Sequence, residues 1–196
     1  MDSLRALAAD DATRKQLAEA LKEPLASAFE PQGYANHVWT MLAAALVFFM
    51  QGGFLMLEAG MSRSSSAISV AMKNLIDFVI AAALFYLVGF GLMFGASESG
   101  WIGGGMSAFN DVSDPWVYTF FVFQMVFAGT AATIVSGAIA ERTRMHAYLL
   151  ITTVSSLVYP ITGYWAWGNL LNADNPAWLA AAGFIDFAGS TIVHSV

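Results

Sequence analysis

Four stretches of this chain, 38–57, 78–97, 115–140 and 145–173, contain no Asp, Glu, Lys or Arg. Each reaches the roughly 20 residues with which an α-helix crosses a bilayer, and a completed helix leaves no backbone polar group unpaired in lipid. Composition agrees, with 58% hydrophobic and 11% charged residues, a charge content rare in soluble domains. The fold expected is all-α, a polytopic membrane helix bundle. A fifth apolar run begins near Ala177, is broken only by Asp186, and is still apolar at Val196, so the sequence reads as part of a longer protein that stops within its fifth span. Two units follow: a charged N-terminal segment, 1–36, and an incomplete membrane domain, 37–196.

Cysteine is absent, which removes disulfides and thiolate metal sites, and His37, His146 and His194 lack ligand spacing. No metal and no cofactor are expected. There is no phosphate loop, and Ser190 has no base constellation, so no enzymatic activity is expected of these residues.

Arg63 and Lys73 flank the first link between spans, and Arg142 and Arg144 lie in the third, whereas links 96–114 and 172–176 have no basic residue. Positive loops stay cytoplasmic, which places the first and third links inside and the N-terminus outside. Arg5, Arg14, Lys15 and Lys22 oppose this weakly. They are interleaved with carboxylates and lie far from the first span, where the rule loses force. Residues 1–30 lack the apolar core of a signal peptide. Leu17, Leu21 and Leu25 share one helical stripe, consistent with a short surface helix ending near Pro24 or Pro31. Glu58, at the inner end of the first span, is expected to form an interfacial ion pair with Arg63.

Small residues line the third span on two adjacent rows: Ala128, Ala132, Ser136 and Ala140, then Gly129, Thr133 and Gly137. Such faces let helices approach closely. Gly91 and Gly95 in the second span and Gly52 and Gly53 in the first predict the same, and helix packing accounts for them all.

Four groups of residues are candidates for chemistry. Phe123 and Phe127, flanking Gln124, are four apart and share a face at about 12 to 18 Å from Pro115, where stacked rings could seal a pore or simply face core and lipid. Trp165 and Trp167 lie at the outer end of the fourth span, in the usual tryptophan belt. An indole face also attracts a small cation by roughly 0.5 to 2 kcal/mol. That recruits a cation but does not dehydrate it, so a passage lined by Phe and His suits a neutral species formed by releasing a proton at the entrance. Asp186 and His194 are eight apart. On one helix that is about 12 Å of rise and about 80° of rotation, with Asp186 near the outer face and His194 deeper. Asp186 reads equally as a helix N-cap carboxylate, and His194 as a buried histidine bonded to a neighbouring helix or as a proton relay.

With these residues in view the chain resembles the ammonium transporter (Amt/Mep/Rh) family. The motifs are Gln51-Gly52-Gly53-Phe54 through Leu57-Glu58-Ala59-Gly60, Met72-Lys73-Asn74-Leu75, Phe127-Ala128-Gly129-Thr130 through Ala140-Glu141-Arg142-Thr143, and the run from Asp186 to His194. The resemblance covers about residues 38–196 and implies the first five of eleven transmembrane helices. It assigns Trp167 to an external ammonium site by cation–π contact, Phe127 with nearby Phe123 to the gate beneath it, Asp186 to holding that site, and His194 to the pore. It also implies a homotrimer in the cell membrane with one pore per subunit and the N-terminus outside. Asn169-Leu170 and Tyr164 depart from the family's pattern and point to a different outer vestibule.

Two functions remain open at this point. One is an ammonium transporter that deprotonates ammonium outside and conducts ammonia. The other is an ammonium sensor, coupled to a C-terminal output such as a histidine kinase or regulated by a cytoplasmic protein, with little or no flux. Ammonium or ammonia and the lipid bilayer are the expected partners, and nucleic acid is not.

Overall fold

The computed structural model describes Lys15 and residues 31–105 and 113–195. The predicted surface helix of residues 17–25 lies outside the described residues. Helix α1 runs Pro31–Met61, α2 Ala67–Leu84, α3 Phe90–Phe94, α4 Pro115–Ile139, α5 Met145–Trp167 and α6 Trp178–Ala181. One π-helical turn, Phe85–Gly89, joins α2 to α3, so the two make a single rod from Ala67 to Phe94. Among the described residues three helices are long and apolar enough to cross a membrane: Gln32–Met61, Ala67–Phe94 and Pro115–Ile139. Helix α5 has the length, 23 residues, but its Thr, Ser and Tyr content makes it less apolar.

Helix α1 begins at Pro31, so residues 31–36 continue into the first span as one helix. His37 on it lies 2.8 Å from Thr119 Oγ1 through Nδ1, edge-on to the Trp116 ring. Helix α4 starts where its sequence dictates. The Asp114 side chain accepts from Trp116 N at 2.9 Å, and Pro115 takes the first helical position, where no N–H is needed. It ends as Ala140 turns extended and Glu141 adopts φ 62°.

Helix α4 is central and packs on α1, α2 and α5. Its small-residue face works as expected on one side: a Cβ at Gly129 would fall 2.4 Å from Phe78 Cδ2, so α2 closes on α4 only over a glycine. Gly52 and Gly53 differ, since a Cβ there would meet nothing within 4 Å. Opposite the π turn, Gly89 leaves room for Pro160 Cγ, 3.1 Å from where its Cβ would stand. Proline and the π turn are thus matched irregularities of neighbouring helices.

The fifth predicted span takes a different form. After α6 the chain passes through Gly183 at φ 86°, runs extended to Asp186, and turns through Ala188 at φ 55° and Gly189 at φ 76°. Left-handed residues cannot continue a right-handed helix, so the apolar run breaks at its glycines. Helical hydrogen bonding restarts at Gly189, whose carbonyl accepts from Val193 N at 3.0 Å. Asp186 and His194 therefore do not share one regular helix.

Candidate functional site

At the C-terminal end of α5 the two tryptophans diverge. Trp165 donates Nε1–H to Trp101 O at 2.9 Å, and its ring meets Trp101 and Trp178 at 5.8 Å each. The three indoles pack on one another at this end of α5. Trp167 turns inward, 9% exposed, into a cluster with Phe90, Phe94, Phe120, Tyr159, Ile192 and Val193, against which Phe127 packs. Phe123 and Phe127 are half-buried and edge-to-face, with centroids 5.0 Å apart at 74°.

Asp186 is an organiser of this layer. Its Oδ1 accepts from Ser190 Oγ at 2.8 Å and Thr191 N at 3.1 Å, and its Oδ2 from Ile192 N at 2.9 Å. Thr191 and Ile192 supply free N–H groups of the turn that starts at Gly189, so the carboxylate caps that turn from outside it. The cap holds Ile192 and Val193 in the Trp167 cluster. Gly189 completes the fit: a Cβ there would lie 2.3 Å from Val193 Cγ2 and 3.4 Å from Trp167 Cη2. His194, one residue on, is exposed among the described residues, with Nδ1 3.1 Å from Gly189 O. The structure thus gathers Trp167, Phe127 and the Asp186-capped turn in one cluster, with Phe123 against Phe127, and leaves His194 exposed.

Asn175 ties the chain segments that follow α3 and α5 together. Its Nδ2 donates to Gly95 O at 3.0 Å and Gly168 O at 2.8 Å, and its Oδ1 accepts from Ser97 N at 3.3 Å.

A second polar assembly, inside the bundle, was not anticipated. Asp77 is 0% exposed, and its Oδ2 accepts from the Tyr148 hydroxyl at 2.6 Å. The same hydroxyl lies 3.1 Å from Lys73 O, and Lys73 Nζ donates to Thr143 O at 3.0 Å. Thr133 donates to Gln51 Oε1 at 2.8 Å, and Gln51 Nε2 donates to Thr130 at 2.9 Å. These bonds cross-link α1, α2, α4 and α5 through groups whose burial is costly unless paired.

Glu58 belongs to this assembly and not to an interfacial ion pair. It is 9% exposed and accepts from Ser136 Oγ at 3.0 Å. Arg63 looks elsewhere: its backbone N–H donates to Glu141 Oε1 at 2.9 Å, linking the two basic loops. That N–H, with the Ser66 side chain and the Arg63 charge, lowers the Glu141 carboxyl below the usual glutamate range. Among the described residues no group of three or more His, Asp or Glu could hold a metal.

The family model described as Ammonium Transporter Family matches residues 38–196. The chain belongs to the ammonium transporter family. It is 50% identical over 164 residues to the Synechocystis sp. protein sll0537, covering 81% of this chain and 30% of that one. It is 41% identical over 196 residues to the ammonium transporter Amt2 of Archaeoglobus fulgidus, covering 91% of this chain and 38% of that protein. A solved structure titled "Sensor Amt Protein" matches with TM-score 0.78 at 50% identity over 82% of this chain and 40% of that one. Candida albicans Mep2 matches with TM-score 0.71 at 29% identity, over 82% and 36%. This ammonium transporter family chain spans 30% and 38% of the length of the two curated relatives.

Proposed function

We propose that this chain forms the outer recruitment site and pore entrance of an ammonium transporter. Ammonium is drawn to the Trp167 indole, whose cation–π attraction is roughly 0.5 to 2 kcal/mol, rising as water is excluded. The Phe123–Phe127 pair beneath bars a hydrated cation, because carrying charge through an aromatic layer costs far more than the indole returns. The proton leaves at the entrance and ammonia passes Phe127 toward His194; the released proton follows by relay through that imidazole, so net charge crosses with each ammonia. Asp186 supports the site indirectly, by capping the turn beside Trp167 and adding negative potential. The observation that carries this reading is the enclosure of Trp167 with Phe127 and the Asp186-capped turn in one cluster.

The functional unit in this reading is a homotrimer in the cell membrane with the N-terminus outside and the Arg63 and Glu141 loops in the cytoplasm, where a regulatory protein or fused domain would act. Currents or uptake in liposomes holding the full-length protein test it. Ammonium-dependent flux is expected, and a conductance indifferent to ammonium would overturn it.

A second reading, an ammonium sensor, is favoured by the 50% identity to the structure titled "Sensor Amt Protein". It keeps the Trp167 site and predicts ammonium binding with little or no flux.

A further inference from the structure

The Tyr159 hydroxyl and Gln124 Oε1 are among the five buried side-chain atoms of the described residues that have no hydrogen-bond partner, with Asn74 Nδ2, Ser156 Oγ and the Tyr164 hydroxyl. Tyr159 is deeply buried, at 1% exposed, and so is Gln124, at 4%. Tyr159 belongs to the same cluster as Trp167, Ile192 and Val193. It precedes Trp167 by eight residues on α5, about 12 Å further along the helix axis. Gln124 follows Phe123 and lies on the α4 stripe of Val117, Phe120, Ala128 and Ala131, all members of that cluster.

A phenylalanine at 159 would fill the same space without burying an unpaired hydroxyl, which native interiors avoid. The hydroxyl is already enclosed by the described helices, so a further chain segment reaches it only by prising them apart. Its partner must be small. A hydroxyl accepts from N–H and donates to a nitrogen lone pair, so it serves both ammonium and ammonia, whereas an amide oxygen serves only a donor.

We propose that the Tyr159 hydroxyl is a hydrogen-bonding contact for the N–H solute inside the aromatic cluster that holds Trp167. The contact deepens the transport reading and rests on it. It gives the solute one directed partner between recruitment at Trp167 and the pore beyond, and it discriminates against solutes that lack an N–H to offer or a lone pair to receive.

The test is Tyr159→Phe in the full-length protein, reconstituted in liposomes and driven by ammonium chloride. The maximal ammonium current is expected to fall about tenfold, the loss of one hydrogen bond to the passing solute. The half-saturating concentration, set at Trp167, should stay unchanged. The thermal midpoint should be no lower than that of wild type, since the hydroxyl satisfies nothing in the protein. Equal currents in variant and wild type overturn this contact and leave the transport reading standing. A thermal midpoint that falls with the current also overturns it, because the hydroxyl then has a protein partner. A wild-type protein without ammonium-dependent current overturns the transport reading and this contact with it.

Discussion

Asp186 Oδ2 accepts the backbone N–H of Ile192 at 2.9 Å, and Ile192 is buried in the cluster that holds Trp167. The carboxylate is thereby connected to the cluster around the indole through a single capped turn. Asp186→Ala is expected to cost about 1 to 2 kcal/mol, the usual loss for a helix cap. It should also weaken ammonium binding at Trp167, because Ile192 and Val193 lose their anchor. Asp186→Asn keeps an acceptor and should cost less. Chemical denaturation together with tryptophan-detected ammonium titration measures both effects; a fully stable Asp186→Ala protein would contradict the capping role.

Gly189 stands at φ 76° with no room for a methyl group beside Val193 and Trp167. Gly189→Ala combines left-handed strain of about 1 to 3 kcal/mol with displacement of Val193. The expected result is a lower denaturation midpoint and a red-shifted Trp167 emission as the ring becomes wetter. Gly183→Ala, strained but open on all sides, should lower the midpoint without that spectral change.

Tyr148 and Asp77 share the shortest hydrogen bond of the inner assembly, 2.6 Å. Tyr148→Phe removes a donor from a fully buried carboxyl group and should destabilise the protein by about 1 to 3 kcal/mol. Combined with Asp77→Asn, the loss should fall short of the sum of the single variants. A double-mutant cycle on thermal unfolding measures this coupling, expected at about 0.5 to 3 kcal/mol. Strict additivity would mean that the two groups do not depend on one another.

Glu141 carries a depressed carboxyl pKa, chiefly through the Arg63 N–H. The folded form binds its proton less readily than the unfolded chain does. The stabilisation is therefore complete above the ordinary glutamate value of about 4.3, and fades as pH falls through the lower folded value. Hydrogen exchange at the Arg63 amide should accelerate in that acid window in wild type. Glu141→Gln should flatten the response, and an unaltered acid profile in that variant would remove Glu141 as its source.

His194→Ala should impair passage more than external binding. Maximal ammonium current is expected to drop while tryptophan-detected binding persists. The reverse pattern would move His194 to the recruitment site.

Much of this arrangement is legible in the residues. Three of the four charge-free runs fall on helices long and apolar enough to cross a membrane, Asp114-Pro115 marks the start of α4, and Gly129 marks where α2 closes on α4. The apolar run after Ala177 misleads because hydropathy carries no information about backbone hand; Gly183 and Gly189 adopt left-handed angles that interrupt it. The N-cap reading of Asp186 held the key to that break, since a carboxylate serving free N–H groups marks the beginning of a helical turn, not its middle. Asp77 borders a charge-free run in the sequence, yet α2 begins at Ala67 and carries it inside the bundle. Proximity in sequence pairs Glu58 with Arg63, while the α1–α4 packing presents it to Ser136. Long-range partners of this kind depend on helix rotation, which a single sequence does not encode locally.

The most direct test of the account is the ammonium current of the full-length protein in liposomes, compared between wild type and Trp167→Ala. The account predicts a wild-type current that saturates with ammonium, and a Trp167→Ala protein whose half-saturating concentration rises by up to about thirtyfold, the equivalent of about 2 kcal/mol of cation–π attraction. A current that ignores ammonium, or a half-saturating concentration untouched by the loss of Trp167, would contradict it.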